Sequence, residues 1–363
     1  MLLMKKQFFP FSIKLSNSMN HFAPGIIFVT AVYLILLLIQ ELLFTLVKVP
    51  VIPLSLLCLL SGIILGNIFS LSPSLSSGRD FIKKNILQLA IIFLGFKISI
   101  AQVLNLSISS LILIMIIFLL VIVLFYFLKN IFTDDQELVK LIGIGTAICG
   151  VTAIIASSSI LKSKERDITI AILIVVLWGS IAVFAYPFLV EQMFSTPEAK
   201  GLFLGVGIHD TSQVIASALV HLDLYQQEAV LETATLTKLI RNLFLTILIP
   251  YLAISFHRNS DKASSFLLTS SLKSIPLFVY GFVVMIILRS IADTSSNLSL
   301  GLEQVLAFNS QLVKILFSFA LISLGLSINI KKLRGLTIRP IIVGFVYSGS
   351  IFIVGYILIT QII

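Results

Sequence analysis

Long apolar runs recur along the whole chain and are separated by short polar loops. About 20 apolar residues in a helix are enough to cross the hydrocarbon core of a bilayer, and the pattern gives about 11 such segments. They are 23–47, 49–70, 86–105, 108–130, 137–161, 167–193, 198–220, 226–256, 270–291, 303–328 and 338–361. The pattern therefore predicts an all-α polytopic membrane protein, with one transmembrane domain over 23–363 after a basic cytoplasmic segment over 1–22.

Composition supports this class of protein. The chain is 58% hydrophobic and 11% charged, whereas a soluble domain has about 25% charged residues. The net charge of +9 does not indicate nucleic acid binding, because the basic residues lie in short loops, as the positive-inside rule describes. Cys58 and Cys149 both lie in apolar segments, so no disulfide framework is expected.

The positive-inside rule also predicts an orientation, with the N-terminus cytoplasmic and the C-terminus external. One loop disagrees: Lys162, Lys164 and Arg166 would be external if every segment crossed the membrane. Either this loop is an exception, or segments 137–161 and 198–220 are both re-entrant and return on the side they entered. The second alternative moves the loop inside and leaves all later loops unchanged.

Two internal similarities point to a duplicated core. FLGFKISI (93–100) resembles SLGLSINI (323–330), and GTAICGVTAIIAS (145–157) aligns without gaps with GVGIHDTSQVIAS (205–217). Apolar segments also align by accident. If the similarities reflect a duplication, they predict an inverted-repeat transporter core with two interrupted or re-entrant helices.

The segment 137–161 contains a cluster of glycines, Gly143, Gly145 and Gly150. Glycine inside a helix lowers the stability of the helix by about 1 kcal/mol relative to alanine, so we expect these glycines to have a structural or functional role. The cluster favours either close packing of helices or an unwound stretch before a new helix, with Thr152 capping that helix or facing a ligand.

The segment 198–220 carries the most polar cluster of the chain, HDTSQ (209–213). Asp210 followed by Gln213 fits a capping box, which predicts a helix beginning near Thr211. The unpaired N–H groups at such a helix start form an anion site. The alternative is that His209 and Asp210 are a buried structural pair.

The segment 226–256 places Lys238, Arg241 and Asn242 on one helix face. Cations deep in a membrane segment either snorkel to an interface or line a cavity, where they would face Asp210 or a substrate anion. Weaker candidates are Lys97, Asn309, Gln311 and Lys314, while Glu41 and Glu191 are expected at the membrane interface.

These residues carry a resemblance to a known family. The stretches ICGVTAI (148–154), YP (186–187), GVGIHDTSQV (205–214) and KLIRN (238–242), with the LG elements at Leu94 and Leu324, resemble the YeiH family of bacterial inner-membrane proteins, described as sulfate exporters. The resemblance covers the chain from about residue 50 onward. It implies a transporter related to cation/proton antiporters and anion symporters, with inverted repeats and interrupted helices. Val151 and Ile208 stand where smaller or differently shaped residues are expected, which puts the shape of the pocket in question.

Together these observations predict a secondary transporter, an exporter of a small inorganic or organic anion such as sulfate or a related sulfur oxyanion, across the bacterial inner membrane. The predicted substrate-binding residues are Gly145, Cys149, Gly150, Thr152, Gly207, Thr211, Ser212, Gln213, Lys238, Arg241 and Asn242, with His209 and Asp210 for proton or sodium coupling. No metal or other cofactor is expected, and no hydrolase or HExxH pattern indicates an enzyme. A cation/proton antiporter that uses Asp210 and an anion channel stay open as alternatives, as does a homo-oligomer.

Overall fold

The computed structural model describes residues 15–47, 53–69, 72–245, 247–248, 251–252, 277–294, 299–329 and 336–362. Within these ranges the backbone is helical and contains no strand. Most of the predicted basic segment 1–22 and the basic loops near 257–262 and 331–334 lie outside the described residues. The prediction of an all-α polytopic membrane protein is confirmed.

The helices follow the predicted apolar segments closely. They are α1 (Leu15–Val47), α2 (Leu54–Ile68), α3 (Pro73–Phe81, continued by a π-turn over Ile82–Ile86), α4 (Leu87–Gly95), α5 (Ile100–Ile131), α6 (Gln136–Ala147), α7 (Val151–Leu161), α8 (Glu165–Met193), α9 (Pro197–Gly207), α10 (Thr211–Tyr225), α11 (Glu228–Leu243), α12 (Leu277–Thr294), α13 (Ser299–Ser327) and α14 (Ile338–Ile362). Among the residues that the structure describes, five stretches are long and apolar enough to cross a membrane: Phe22–Leu42, Ser110–Ile131, Glu165–Met193, Leu302–Ser327 and Ile338–Gln361.

The predicted segment 86–105 is wrong in two respects, the first being that the helical stretch containing residue 86 already begins at Pro73. The second is that residues 86–105 were expected to form one segment, but the helix ends at Gly95 and the next begins at Ile100. The Ile98 N–H donates to the Gly95 carbonyl (3.2 Å), which turns the chain out of the helix. The Ile328 N–H donates to the Gly325 carbonyl in the same way (3.0 Å). The similarity of FLGFKISI to SLGLSINI thus corresponds to the same local turn.

The chain divides into two compact units. The first comprises residues 1–90 and 312–329, and the second comprises 91–311 and 330–363. In the first unit, helices approach through glycine: Gly25 of α1 lies against Gly78 of α3, and Gly62 of α2 lies against the backbone of Gly325 in α13. Small residues allow this close backbone contact, which drives helix association in membranes.

In the second unit, α6 and α7 form a helical hairpin over 136–161. In a continuous helix, residues 137 and 163 would be about 39 Å apart at 1.5 Å per residue. Instead the Ser163 hydroxyl donates to Glu137 Oε1 at 2.5 Å, which joins the start of α6 to the residues after α7. The segment therefore folds back on itself, and we call it the first hairpin.

A second hairpin, 197–225, is formed by α9 and α10. Lys200 lies near the start of α9 and His221 near the end of α10, about 31 Å apart if the helix were continuous. Both side chains contact the same oxygen of Glu191: Lys200 Nζ lies 2.7 Å and His221 Nε2 lies 2.9 Å from Oε2. This segment also folds back, as the re-entrant alternative required.

The bases of the two hairpins lie at opposite ends of α8. A short link, 162–164, joins the first hairpin to the start of α8 at Glu165, while the second hairpin is tied to Glu191, near the end of that helix. The 29 residues of α8 correspond to about 43 Å, so α8 can cross a bilayer about 30 Å thick. The hairpins therefore point toward each other from opposite sides, which is the inverted arrangement predicted from the aligned stretches 145–157 and 205–217.

Candidate functional site

The turns at the two hairpin tips lie at equivalent positions of the aligned stretches, 60 residues apart, although their backbone angles differ: Gly150 has φ +69° and ψ −123°, whereas Asp210 has φ −96° and ψ 144°. In the first hairpin α6 ends at Ala147 and α7 begins at Val151; in the second, α9 ends at Gly207 and α10 begins at Thr211. In the first tip, the Ile148 N–H donates to the Ile144 carbonyl (3.2 Å) and the Ile154 N–H donates to the Gly150 carbonyl (3.2 Å). The equivalent bonds in the second tip run from Ile208 to Leu204 (3.3 Å) and from Val214 to Asp210 (3.0 Å). The aligned stretches thus share these two hydrogen bonds, whereas the first tip has in addition a bond from the Gly150 N–H to the Gly145 carbonyl (3.0 Å).

The two tips differ in how the returning helix is capped. Gly150 precedes α7 with φ +69° and has no side chain to cap that helix, while the Ala153 N–H in its first turn interacts with the Cys149 sulfur; the backbone at Gly150 is one that glycine adopts readily. Asp210 precedes α10, and its Oδ1 accepts the Ser212 N–H at 2.9 Å as well as the Ser212 hydroxyl. Of these two helices, α10 is therefore the one whose start is capped by the side chain of its own N-cap residue.

Two predictions about these caps need correction. Gln213 does not complete a capping box, because its Nε2 donates to the Val176 carbonyl and to Ser180 Oγ of α8, each at 3.2 Å. Thr152 does not cap α7: it lies one residue inside the helix, and its side chain is exposed. Asp210 is the N-cap of α10, as predicted.

The two tips lie against each other. A methyl group placed on Gly150 would lie 3.1 Å from Asp210 Oδ2, so the carboxylate of the second tip stands in front of the start of α7. Thr211 follows Asp210 and accepts a hydrogen bond from Asn242 Nδ2 of α11 at 3.0 Å. The partly exposed side chains of Asp210, Thr211 and Asn242 therefore lie together at the second tip, and the exposed residue Thr152 lies two residues after Gly150 in the first.

Lys238 of α11 is fully buried between the tips. Its ammonium group donates to the carbonyls of Ile148 (2.9 Å) and Ile208 (3.0 Å) and also to that of His209. An ammonium group has three hydrogens, so all three are used. Lys238 joins the C-terminal end of α6 to that of α9.

Arg241, also fully buried, makes a parallel connection one helical turn along α11. Its guanidinium donates to the carbonyls of Ala147 (2.5 Å) and Thr146 in the first hairpin, and of Val206 (2.6 Å) and Ile208 (3.2 Å) in the second. Cations at helix C-termini are stabilised by the helix dipole and by the unpaired carbonyls there. The two cations therefore hold the tips together from the carbonyl side.

This arrangement differs from the predicted roles of Lys238 and Arg241. They were expected to face a substrate anion or Asp210, but their hydrogens are directed at backbone carbonyls. Within the described ranges, neither cation forms an ion pair with Asp210. The sequence placed both cations inside a membrane segment but could not show that their partners are two helix ends.

His209 is buried at the second tip, with 1% of its surface exposed. Its Nε2 lies 2.7 Å from Ser348 Oγ of α14, and its Nδ1 is buried without a hydrogen-bond partner among the described residues. His209 and Asp210 therefore point into different surroundings, one toward α14 and the other toward the first tip.

The remaining predicted site residues pack the tips. A Cβ on Gly145 would lie 2.7 Å from the Ile154 side chain, across the first hairpin, and one on Gly207 would lie 2.9 Å from the Tyr186 ring. Cys149 is a buried free thiol. Ser212 is buried, and its hydroxyl is used in the cap of α10.

Sequence reasoning missed the groups that close the hairpin bases. Glu191 was expected at a membrane interface, but it holds Lys200 and His221, and Lys200 also donates to Gln227 Oε1 at 3.2 Å. These partners are distant in sequence and follow no spacing rule, so no local signal marks them.

Of the weaker candidate residues, some form polar contacts with other helices and the others are exposed. Lys97 forms an ion pair with Glu228 at 2.6 Å, and Asn309 donates to the Phe93 carbonyl at 3.0 Å. Glu41, Gln311 and Lys314 are exposed. No three His, Cys, Asp or Glu side chains in the described part of the chain converge as metal ligands would.

The fold and the facing hairpins define an all-α, multi-pass membrane protein. The chain belongs to the family "Conserved hypothetical protein 698", whose model matches residues 24–344. It is 29% identical to a UPF0324 membrane protein of Fusobacterium nucleatum, over 78% of this chain and 84% of that protein. It is 30% identical to a UPF0324 membrane protein of Streptococcus agalactiae, over 78% and 82%, and 28% identical to the UPF0324 inner membrane protein YeiH of Escherichia coli, over 82% and 83%. These matches confirm the predicted YeiH family, and no solved structure matches the chain.

Proposed function

We propose that the protein is a secondary transporter that carries a small anion across the bacterial inner membrane, with the anion held where the two hairpin tips meet. The observation that carries the proposal is the start of α7, which has a glycine as its N-cap residue, faces the second tip and has the exposed residue Thr152 in its first turn. The first N–H groups of a helix carry the positive end of its dipole and bind anions. The proposal assigns no enzymatic reaction to the chain.

The charge of the site supports an anion as the substrate. Lys238 and Arg241 are fully buried beside the tips, and Asp210 is the acidic group in contact with the first tip. Two cations against one carboxylate leave a surplus positive charge. Uncompensated charge at membrane depth is costly, and a bound anion would offset it.

The opposed hairpins support transport over passive conduction. Each tip can be uncovered from its own side if its hairpin moves, while the other hairpin keeps the opposite side closed. Secondary transporters with inverted repeats place their sites at such interrupted helices near the bilayer midplane. The predicted orientation, with a cytoplasmic N-terminus and an external C-terminus, places the first hairpin on the cytoplasmic side.

A flux assay in proteoliposomes tests the proposal. Wild-type protein should give saturable uptake of at least one labelled oxyanion that depends on a proton or sodium gradient. Thr152→Val should lower that uptake by about tenfold or more, because one hydrogen bond to an anion is worth about 1.5–3 kcal/mol. Thr169→Val, the same change at an exposed position of α8, is the matched control and should leave uptake unchanged.

The assay also separates the two alternatives. Uptake that does not saturate and needs no gradient would identify a channel. Proton-coupled cation exchange that no anion inhibits, and that Asp210→Asn abolishes, would identify a cation antiporter.

A further inference from the structure

Of the two carboxylate oxygens of Asp210, Oδ1 accepts hydrogen bonds within the second tip and Oδ2 faces the first tip. Oδ1 accepts the N–H and the hydroxyl of Ser212, so it is used by its own helix. Oδ2 is directed at the first tip, within 3.1 Å of a methyl group placed on Gly150, and it has no hydrogen-bond partner among the described residues. A free acceptor thus lies in the space proposed for the substrate.

The neighbouring cations cannot turn to neutralise this acceptor. All three Lys238 hydrogens donate to carbonyls, and Arg241 donates to four carbonyls of the two tips. His209, the next residue, contacts Ser348 instead, and Cys149 in the first tip is a buried thiol. Any ligand at the start of α7 therefore meets a carboxylate oxygen of Asp210 as well as hydrogen-bond donors.

The donors in the same space are neutral. They are the N–H groups of Val151 and Thr152 at the start of α7, the hydroxyl of Thr152 in the same turn, and the Thr211 hydroxyl, whose oxygen accepts from Asn242 so that its hydrogen is available. A site of this kind binds the unprotonated oxygens of an anion with its donors. It can satisfy Asp210 Oδ2 only if the ligand also offers a hydrogen.

We infer that the substrate is an oxyanion that keeps an acidic O–H at neutral pH, of the class of hydrogen phosphate, hydrogen sulfite or bicarbonate, and that fully deprotonated sulfate is disfavoured. The inference rests on the proposed function and narrows its substrate class. The ligand O–H donates to Asp210 Oδ2, and the remaining oxygens accept from the α7 N–H groups and the threonine hydroxyls. Sulfate would instead place an ionised oxygen against the carboxylate, a repulsive contact that discriminates between ligands of the same size.

Two matched pairs of ligands test this inference in proteoliposomes. Hydrogen phosphate and sulfate have the same charge and tetrahedral shape but differ in the O–H; hydrogen sulfite and methanesulfonate are the singly charged counterparts. Wild-type protein should prefer the O–H-bearing member of each pair by on the order of 10²-fold or more, since a site that hydrogen-bonds a substrate hydroxyl rejects analogues without it. Asp210→Asn should reverse the preference, because the amide donates where the carboxylate accepted.

The outcomes separate the inference from the proposed function. Three results would overturn the inference and leave anion transport intact. They are equal uptake of the two anions of a pair, a preference of the wild type for sulfate over hydrogen phosphate, and an unchanged preference in Asp210→Asn. A lack of saturable uptake for every anion would overturn both. If Asp210→Asn does not fold, the wild-type ratios decide the question together with Asp210→Glu, which keeps the carboxylate and should keep the order of preference.

Discussion

At the scale of single residues, Gly150 is restricted both by its backbone conformation and by the side chain of Asp210 beside it. Its φ of +69° is in a region that residues with a Cβ rarely adopt, and a methyl group would lie 3.1 Å from Asp210 Oδ2. Gly150→Ala should therefore destabilise the protein by about 1–3 kcal/mol and abolish anion uptake. The melting temperature in detergent and the flux assay measure the two effects.

Gly349→Ala is the matched control for that change. Gly349 lies inside α14, and a Cβ there would contact nothing within 4 Å. Alanine favours a helix interior over glycine by about 0.5–1 kcal/mol, so this variant should be at least as stable as the wild type. A Gly150→Ala variant with wild-type stability would show that the tip does not require the left-handed backbone.

Arg241 should behave as a structural cation rather than as a substrate ligand. Arg241→Met removes the donors of four buried carbonyls, and each unsatisfied buried group costs about 1–3 kcal/mol. We expect a loss of melting temperature much larger than that of Thr152→Val, with Arg241→Lys intermediate because lysine keeps the charge and loses the planar fork. An Arg241→Met protein with wild-type melting temperature and altered anion preference would instead make Arg241 a ligand.

At the scale of elements, the second hairpin is held closed by Glu191. Glu191→Gln removes the negative charge that faces Lys200, whose side chain is 4% exposed, and weakens the contact with His221. We expect faster amide hydrogen exchange in α9 and α10 than in the wild type, since local opening follows the loss of buried contacts. Glu198→Gln, at an exposed position of α9, should leave exchange in both helices unchanged, and equal exchange in both variants would contradict the role of Glu191.

The sequence predicted the positions of the two hairpin tips well. It predicted the tertiary contacts of these tips poorly. Glycines and the HDTSQ cluster located both tips to within a few residues, because local backbone preferences and helix capping are encoded nearby in the chain. The carbonyl partners of Lys238 lie 30 and 90 residues away, and no periodicity specifies such contacts. For the same reason Gln213, which fits a local capping box, forms its hydrogen bonds with α8 instead.

At the scale of the whole molecule, the loop that disagreed with the positive-inside rule is explained by the hairpins. Because the first hairpin folds back, Lys162–Arg166 lies on the same side as the turn Thr133–Asp135 that precedes α6. Charge counting alone could not choose between an exceptional loop and a pair of re-entrant segments. The contact between Glu137 and Ser163 decides it, since a crossing segment would place these residues on opposite sides of the membrane.

Labelling of single cysteines tests this topology in intact cells. In a background with Cys58 and Cys149 replaced by alanine, cysteines at the exposed positions Asp134, Lys164 and Gln226 are treated with a membrane-impermeant maleimide. Cysteines at 134 and 164 should react only after permeabilisation, because the positive-inside rule places this side in the cytoplasm, whereas a cysteine at 226 should react in intact cells. Reaction of 134 and 164 from opposite sides would show that residues 136–161 cross the bilayer. Reaction of all three from one side would show that α8 does not, and either result would remove the opposed hairpins on which the transport proposal depends.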